Sequence, residues 1–204
     1  MPGVNAVVLV PVKAFTNAKA RLATVLADAD RERLARWMSA RVLAAAGELP
    51  TYVACDDEEV AAWAREHGAS VLWHPGVGLN AAVNNSIIAL RESGVTDVIV
   101  AHGDLPRAHS LAALTEPGTL TLVPDRRSDG TNVASLPTTM AFQFAYGPGS
   151  FRRHLGSAIA AGLCVRVRRD LLLALDIDTP TDLTHPLVQE VLPTWLQTNL
   201  ANLR

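Results

Sequence analysis

Val7-Val8-Leu9-Val10-Pro11-Val12-Lys13 is the stretch that decides the class of this chain. Four aliphatic residues stand in an unbroken row, three of them β-branched. A strand buried on both faces of a parallel sheet reads this way, whereas a half-exposed strand alternates with polar residues. Helical patterns and further strands then take turns. From Asp28 to about Glu48, residues Leu34, Trp37, Met38, Arg41, Val42 and Ala45 recur at three and four, the spacing of an amphipathic helix, with Asp28 or Asp30 as candidate N-cap. Tyr52–Cys55 reads as a second strand, Glu58–His67 as a second helix closed by Gly68, and Ser70–Trp73 as a third strand. Leu79–Ser93 gives a third helix before Gly94, and Asp97–Ala101 a fourth buried strand. Alternation of this kind builds βαβ units.

The second half is less regular. After a strand at Leu120–Val123 comes a loop of turn formers, Pro124 to Asn132, then strand-like stretches around Val133–Leu136 and Met140–Ala145. A helix from about Ser150 to Ala161, a strand at Leu163–Val167 and an apolar run at Leu171–Leu175 follow. Leu187, Val188, Val191, Leu192, Trp195, Leu196 and Leu200 form one helical stripe, interrupted by Pro193. It offers a surface for a homodimer or folds back onto its own sheet. Trp37, Trp63 and Trp73 read as core packing. With no repeat or linker in view, the expectation is one α/β domain over residues 1–204, parallel in its first half and mixed later.

Composition bounds the function. With 204 residues, 49% of them hydrophobic, the chain can fill a core. Eighteen Lys+Arg against 20 Asp+Glu leave a net charge of -2, which argues against wrapping nucleic acid by bulk charge. Arginine dominates the basic residues, and the two lysines, Lys13 and Lys19, sit six apart after the first strand. Cys55 and Cys164 stand alone, without a disulfide ladder or zinc spacing, and no apolar run approaches the roughly 20 residues that span a bilayer. A cytoplasmic protein without a membrane segment is expected.

In open parallel sheets ligands lie beyond the carboxyl ends of strands, so polar residues there come first. Asp104 follows the fourth strand in His102-Gly103-Asp104-Leu105-Pro106, and Asp176 and Asp178 follow the 171–175 run. Two or three such carboxylates suit Mg²⁺, which takes few protein ligands and shares its octahedron with water and phosphates. The alternative for Asp-x-Asp-Thr-Pro is an Asx turn or helix cap, and Asp182 belongs to that reading as a first-turn carboxylate. Lys13, Lys19 and Arg21 gather three cations after the first strand; they either handle an anion or coat a solvated loop. Gly76 and Gly78 permit close backbone approach, and the Asn80 amide suits a purine edge or caps a helix. Asp129-Gly130-Thr131-Asn132 and Gly147-Pro148-Gly149-Ser150 each combine small residues, N–H groups and a hydroxyl. The second precedes a helix that can hold phosphate or carboxylate, with Ser150 as its plain N-cap otherwise.

Taken in order, Pro11-x-Lys13, Ala18-Lys19-x-Arg21-Leu22, Gly78-Leu79-Asn80, Gly103-Asp104-Leu105-Pro106, Asp129-Gly130-Thr131-Asn132, Gly147-Pro148-Gly149-Ser150 and Asp176-Ile177-Asp178-Thr179-Pro180-x-Asp182-Leu183 resemble one family. It is the phosphoenolpyruvate/2-phospho-L-lactate guanylyltransferase family of coenzyme F(420) biosynthesis, and the match runs over about residues 5–185. The resemblance implies a GT-A-like, Rossmann-related nucleotidyltransferase fold, with a mostly parallel mixed sheet flanked by helices. It also implies transfer of GMP from GTP to the phosphate of phosphoenolpyruvate, or of 2-phospho-L-lactate, with release of pyrophosphate. In that reading Asp104, Asp176 and Asp178 hold Mg²⁺, Lys13, Lys19 and Arg21 neutralise the phosphates, Gly78 and Asn80 with Asp104 bind the nucleotide, and Thr131, Gly147 and Ser150 bind the acceptor. A related molybdenum-cofactor-type nucleotidyltransferase and a catalytically silent GTP-binding subunit are the competing expectations.

Overall fold

Strand β1 (Ala6–Pro11) is buried on both faces, and its residues divide strictly by parity. Val8 and Val10 enter one apolar cluster, Val7 and Leu9 the other. The computed structural model describes residues 5–201. After β1 come α1 (Asp28–Ala44), β2 (Thr51–Cys55), α2 (Glu58–Glu66), β3 (Ser70–Trp73), α3 (Gly78–Glu92) and β4 (Asp97–Ala101). Then follow β5 (Leu120–Pro124), β6 (Thr131–Pro137), α4 (Ser150–Ala160), β7 (Val165–Val167) and three short helices, α5 (Pro180–Leu183), α6 (Pro186–Gln189) and α7 (Thr194–Ala201).

These strands form one sheet in the order β3-β2-β1-β4-β6-β5-β7. Pairings β1·β2, β2·β3, β1·β4 and β5·β7 are parallel; β6 runs antiparallel to both β4 and β5. The reversed β6 therefore begins, at Thr131, beside the carboxyl end of β4. Helices α1 and α2 cover one face through Ala35, Val42, Val60 and Trp63, while α3 and α4 cover the other through Val83, Leu90, Phe151 and Ala158. The chain moves outward from β1 to β2 and β3, then returns to place β4 on β1's other side. That reversal opens a crevice at the carboxyl ends of β1 and β4.

Several expectations are corrected. Met140–Ala145 is not a strand, and the apolar run Leu171–Leu175 is a turn organised by Asp170, whose Oδ1 accepts the N–H groups of Leu172 and Leu173 at 3.1 Å. Ala27, not Asp28 or Asp30, is the N-cap of α1; the two aspartates lie in the first turn, where their charge favours the helix dipole. The last strand is only Val165–Val167. Trp63 is core, but Trp73 is 43% exposed on the edge strand. The C-terminal stripe folds back: Val188, Leu192 and Leu196 pack with Leu22, Leu34, Met38 and Ile177 in a third cluster. The surface expected for a second copy is thus covered by the chain itself, and Leu200 lies outside the described side chains.

Candidate active site at the carboxyl ends of β1 and β4

Lys19 stands at the centre of the crevice. Its Nζ donates to Asp104 Oδ2 at 2.8 Å and to Asp178 Oδ1 at 3.1 Å, and Arg21 Nη1 donates to Asp178 Oδ2 at 3.1 Å. Lys19 adopts φ +55, the left-handed region, between two short 3-10 turns, a conformation that an L side chain enters at some cost. Its side chain is 10% exposed. Burial pulls the ammonium pKa down, but the charges of Asp104 and Asp178 outweigh it and the pKa is raised. Burial likewise works against ionised Asp104, and Lys19 more than offsets it, so this carboxyl lies below its ordinary value. Burial, then the neighbouring Asp104 charge, push Asp176 up to about 7.

The backbone explains why residues so distant in sequence meet. Ile177 N–H donates to the Asp104 carbonyl at 3.2 Å, stitching the 176–178 segment to the end of β4. Asn132 Nδ2 holds the Leu173 carbonyl at 3.0 Å, and Arg126 N–H holds that of Ala174 at 2.9 Å, which carries the 171–175 turn across the strand ends. Asp182 fulfils its expected structural role. Its Oδ2 accepts Asp178 N–H at 3.0 Å and Thr179 N–H at 2.7 Å, and its Oδ1 pairs with Arg126. Gly103 is required by a close approach: a Cβ there would lie 2.8 Å from Ser39 Oγ, which itself donates to the Gly103 carbonyl.

The three aspartates are not a ready-made metal cage. Among the described residues no group of three or more His, Cys, Asp or Glu is arranged to hold a metal, because the Lys19 ammonium occupies the space between Asp104 and Asp178. The donor set nevertheless fits a hard divalent cation. Asp104 Oδ1 is buried without a hydrogen-bond partner, and carboxylate oxygens are the ligands that Mg²⁺ prefers.

The other expected ligands divide. Lys13 is exposed on the crevice wall, and no hydrogen bond or ion pair among the described residues engages it. Gly78 opens α3 with φ +74. Asn80 gives one amide hydrogen and one oxygen lone pair to the backbone of Tyr146. Oδ1 accepts Tyr146 N–H at 2.6 Å while Nδ2 donates to the Tyr146 carbonyl at 3.3 Å. One helical turn on, Asn84 does the same for Phe144, at 2.9 and 3.2 Å. Two asparagines at i and i+4 thus supply the hydrogen bonds that a neighbouring strand would have given residues 144 and 146, and no strand forms there. Replacing Asn80 by alanine is expected to lower stability by about 1–2 kcal/mol and to loosen the 144–150 loop. Urea unfolding checks this, and an unchanged midpoint would mean that the clamp holds nothing.

Thr131 and Ser150 also face inward. Ser150 is not the N-cap of α4, a position taken by Gly149 at φ +72; its buried Oγ accepts Thr131 N–H at 3.3 Å. Thr131 Oγ1 lies 3.0 Å from His154 Nδ1, and Gly149 N–H is taken by Asp129 Oδ2 at 3.0 Å. Gly147 holds φ +125, which an L side chain rarely adopts, so the loop's path depends on glycine there. These contacts tie the 129–131 and 149–150 segments to each other and to α4.

Sequence patterns missed His102, Tyr146 and His154. His102 and Tyr146 meet edge to face, ring centroids 4.7 Å apart, and His102 Nε2 and Tyr146 Oη are buried without partners among the described residues. His102 could have been found from its place after β4; nothing local marks the other two. His154 Nε2 accepts Ala145 N–H at 2.9 Å, which leaves Nδ1 as the donor to Thr131 and fixes a neutral ring. Burial, helped by Arg153, lowers its pKa to about 4. An unfolded chain protonates this histidine below its ordinary 6.5 while the folded one resists, so its stabilisation is complete above pH 6.5 and is lost as pH falls towards 4. We expect about 2 kcal/mol of lost stability between pH 7 and pH 5, absent from the pH profile of His154→Gln. Parallel urea profiles for the two proteins would refute this.

Two clefts adjoin here, and the smaller opens onto Lys19 and Asp104. One, of about 200 Å³, is lined by Lys13, Lys19, Ser39, His102 and Asp104; the other, of about 400 Å³, by Cys55, Asp56, His74 and Gly78, and both share Pro11–Ala14 and Leu79. Two larger hollows of about 770 Å³ touch neither Lys19 nor any of the three aspartates. The arrangement can hold a polyanion against fixed cations beside an open, partly apolar cleft.

Known proteins resemble this chain over most of its length. Residues 6–190 match the family described as "Guanylyl transferase CofC like". A phosphoenolpyruvate guanylyltransferase of Sphaerobacter thermophilus is 36% identical over 87% of this chain and 90% of its own length. That of Rubrobacter xylanophilus is 37% identical, over 87% and 91%. Among solved structures, a nucleotidyl transferase from Methanothermobacter superposes with a TM-score of 0.64 at 14% identity, covering 99% of each chain. The mostly parallel sheet with flanking helices is a nucleotidyltransferase fold.

Proposed function

Since the chain belongs to the CofC-like guanylyl transferase family, we propose that it transfers GMP from GTP to the phosphate of phosphoenolpyruvate, yielding enolpyruvoyl-2-diphospho-5'-guanosine and pyrophosphate in coenzyme F(420) biosynthesis. The observation that carries this reading is Lys19 held between Asp104 and Asp178 at the switch point of the sheet, in a chain more than a third identical to phosphoenolpyruvate guanylyltransferases. An acceptor phosphate oxygen attacks the α-phosphorus of GTP, forming a P–O bond as the bond to the bridging oxygen breaks and pyrophosphate leaves. A phosphate is already ionised at neutral pH, so the protein needs no general base and contributes positioning and charge.

Asp104 and Asp178, with Asp176 beside them, are the residues that would hold Mg²⁺. When bound, this ion would neutralise phosphate oxygens that the protein's few local cations leave uncompensated. Lys19 is a fixed charge at the floor of the site, pinned by two carboxylates. Lys13 is the free one, with a flexible ammonium suited to the triphosphate. Arg21, tied to Asp178 but largely open to solvent, lies at the mouth where pyrophosphate departs. Gly147, Thr131 and Ser150 shape the acceptor side, the last two by holding the loop and not by direct hydroxyl contact. We place the enzyme in the cytoplasm, where its substrates are made; Cys55 and Cys164 are both free thiols, and among the described residues no helix is long and apolar enough to cross a membrane.

The test is a matrix of phosphoenolpyruvate, 2-phospho-L-lactate and 3-phosphoglycerate, each with GTP and with ATP, scored by pyrophosphate release. GTP with phosphoenolpyruvate is expected to give the highest kcat/KM. A clear preference for 2-phospho-L-lactate would reassign the acceptor, and GTP binding without pyrophosphate release would leave a non-catalytic GTP-binding protein.

A further inference from the structure

The larger of the two joined clefts contains one acidic side chain with no task in the fold. Asp56 and Asp57 follow β2 together. Asp57 caps α2, accepting Val60 N–H at 3.0 Å, whereas Asp56 is exposed on the cleft wall and makes no hydrogen bond or ion pair among the described residues. The other polar groups of that wall are committed or of the wrong kind. His74 Nε2 is 2.8 Å from the Ser86 hydroxyl, and Cys55 has its pKa raised by burial, which keeps it a thiol. Asn80, which opens the same helix as Gly78, is bound to Tyr146. The cleft runs directly into the Lys13 and Lys19 region through Pro11–Ala14, so phosphates held at the cations leave an attached base this pocket to enter.

We propose that Asp56 is the specificity-determining residue that reads the guanine base of the nucleotide, an inference that rests on the guanylyl-transfer reading above. Guanine presents two adjacent donors on its pairing edge, N1–H and the 2-amino group. An ionised carboxylate is an acceptor only, with two oxygens spaced to meet both. Adenine presents a lone pair at N1 and no 2-amino group, so the same carboxylate repels it. One side chain thereby attracts the right base and rejects the common wrong one.

Wild type, Asp56→Asn and Asp56→Ala should be compared with GTP, ITP and ATP, by kcat/KM for pyrophosphate release and by calorimetric Kd. ITP lacks only the 2-amino group. Asparagine offers one acceptor and one donor, so Asp56→Asn is expected to lose about 100-fold on GTP while gaining on ATP. Wild type is expected to prefer GTP over ITP roughly tenfold, and Asp56→Ala to show no such preference. Variants that keep the wild-type GTP/ATP and GTP/ITP ratios, even at lower overall activity, would overturn the role of Asp56 and leave guanylyl transfer standing. Wild type that releases no pyrophosphate from GTP would instead overturn the functional reading and this inference with it.

Discussion

Replacing Asp104 by asparagine is expected to cut pyrophosphate release from GTP and phosphoenolpyruvate by about 10²–10³-fold while the protein still folds. The substitution keeps the shape of the side chain and removes its charge. Oδ2 now holds the Lys19 ammonium at 2.8 Å, and Oδ1 is buried with no partner. An asparagine can satisfy one of these positions, but its NH₂ group then turns a donor towards either the ammonium or the space where a cation would sit. Breaking an isolated buried ion pair costs about 3–5 kcal/mol. Here Lys19 retains Asp178, so the stability loss should be smaller, on the order of 1–3 kcal/mol. Circular dichroism and a urea midpoint establish that the variant is folded, and the pyrophosphate assay gives the rate. Turnover within tenfold of wild type would remove Asp104 from the machinery.

Lys19→Met should be costlier to the fold and comparably damaging to the reaction. Methionine keeps most of the buried stem but withdraws the ammonium from between Asp104 and Asp178, leaving them with Asp176 as a cluster of carboxylates around an apolar centre. A loss of about 3–5 kcal/mol follows from the uncompensated charge, moderated by Arg21, which continues to reach Asp178. Any cation that binds this cluster in the folded state alone stabilises it by mass action, and the variant lacks the resident positive charge that competes with such binding. Addition of millimolar Mg²⁺ is therefore expected to raise the Tm of Lys19→Met by more than that of wild type. A Tm insensitive both to the substitution and to Mg²⁺ would show that the three carboxylates do not act as one electrostatic unit.

The parts of the fold legible in the sequence share one property: their signal is local. Buried strands such as Val7–Val10 and Val98–Ala101 announce themselves because a strand covered on both faces is apolar along an unbroken run, and α1 does so because one side of a helix must be apolar. Strand β3 and the limits of α3 follow from glycines and from the change of period. Where the sequence misled, a long-range partner had replaced the usual local one. Residues 140–145 carry strand-like composition, but Phe144 finds its backbone partners on Asn84 of α3 and Ala145 on His154 and Arg153 of α4. The run 171–175 is as apolar as a strand, yet Asp170, Asn132 and Arg126 fold it into a turn that brings Asp176 and Asp178 to Asp104.

The same division holds within the site. Lys13, Lys19, Arg21 and Asp104 could be selected from sequence because charged residues in the loops after buried strands have few structural uses, and Asp176 and Asp178 because they follow an equally apolar run. That Lys19 stands between two of the aspartates could not, since residues 19, 104 and 178 are joined by no periodicity. Asn80 shows the limit most clearly: an amide suited by chemistry to a purine edge is equally suited to a peptide edge, and only the approach of Tyr146 decides between them. The two lysines and the aspartates were thus fixed as candidates by the order of residues along the chain. Which charge meets which, and which acceptor is left free for a ligand, was decided by the tertiary structure, because a hydrogen bond or ion pair depends on distances of about 3 Å that local sequence does not encode.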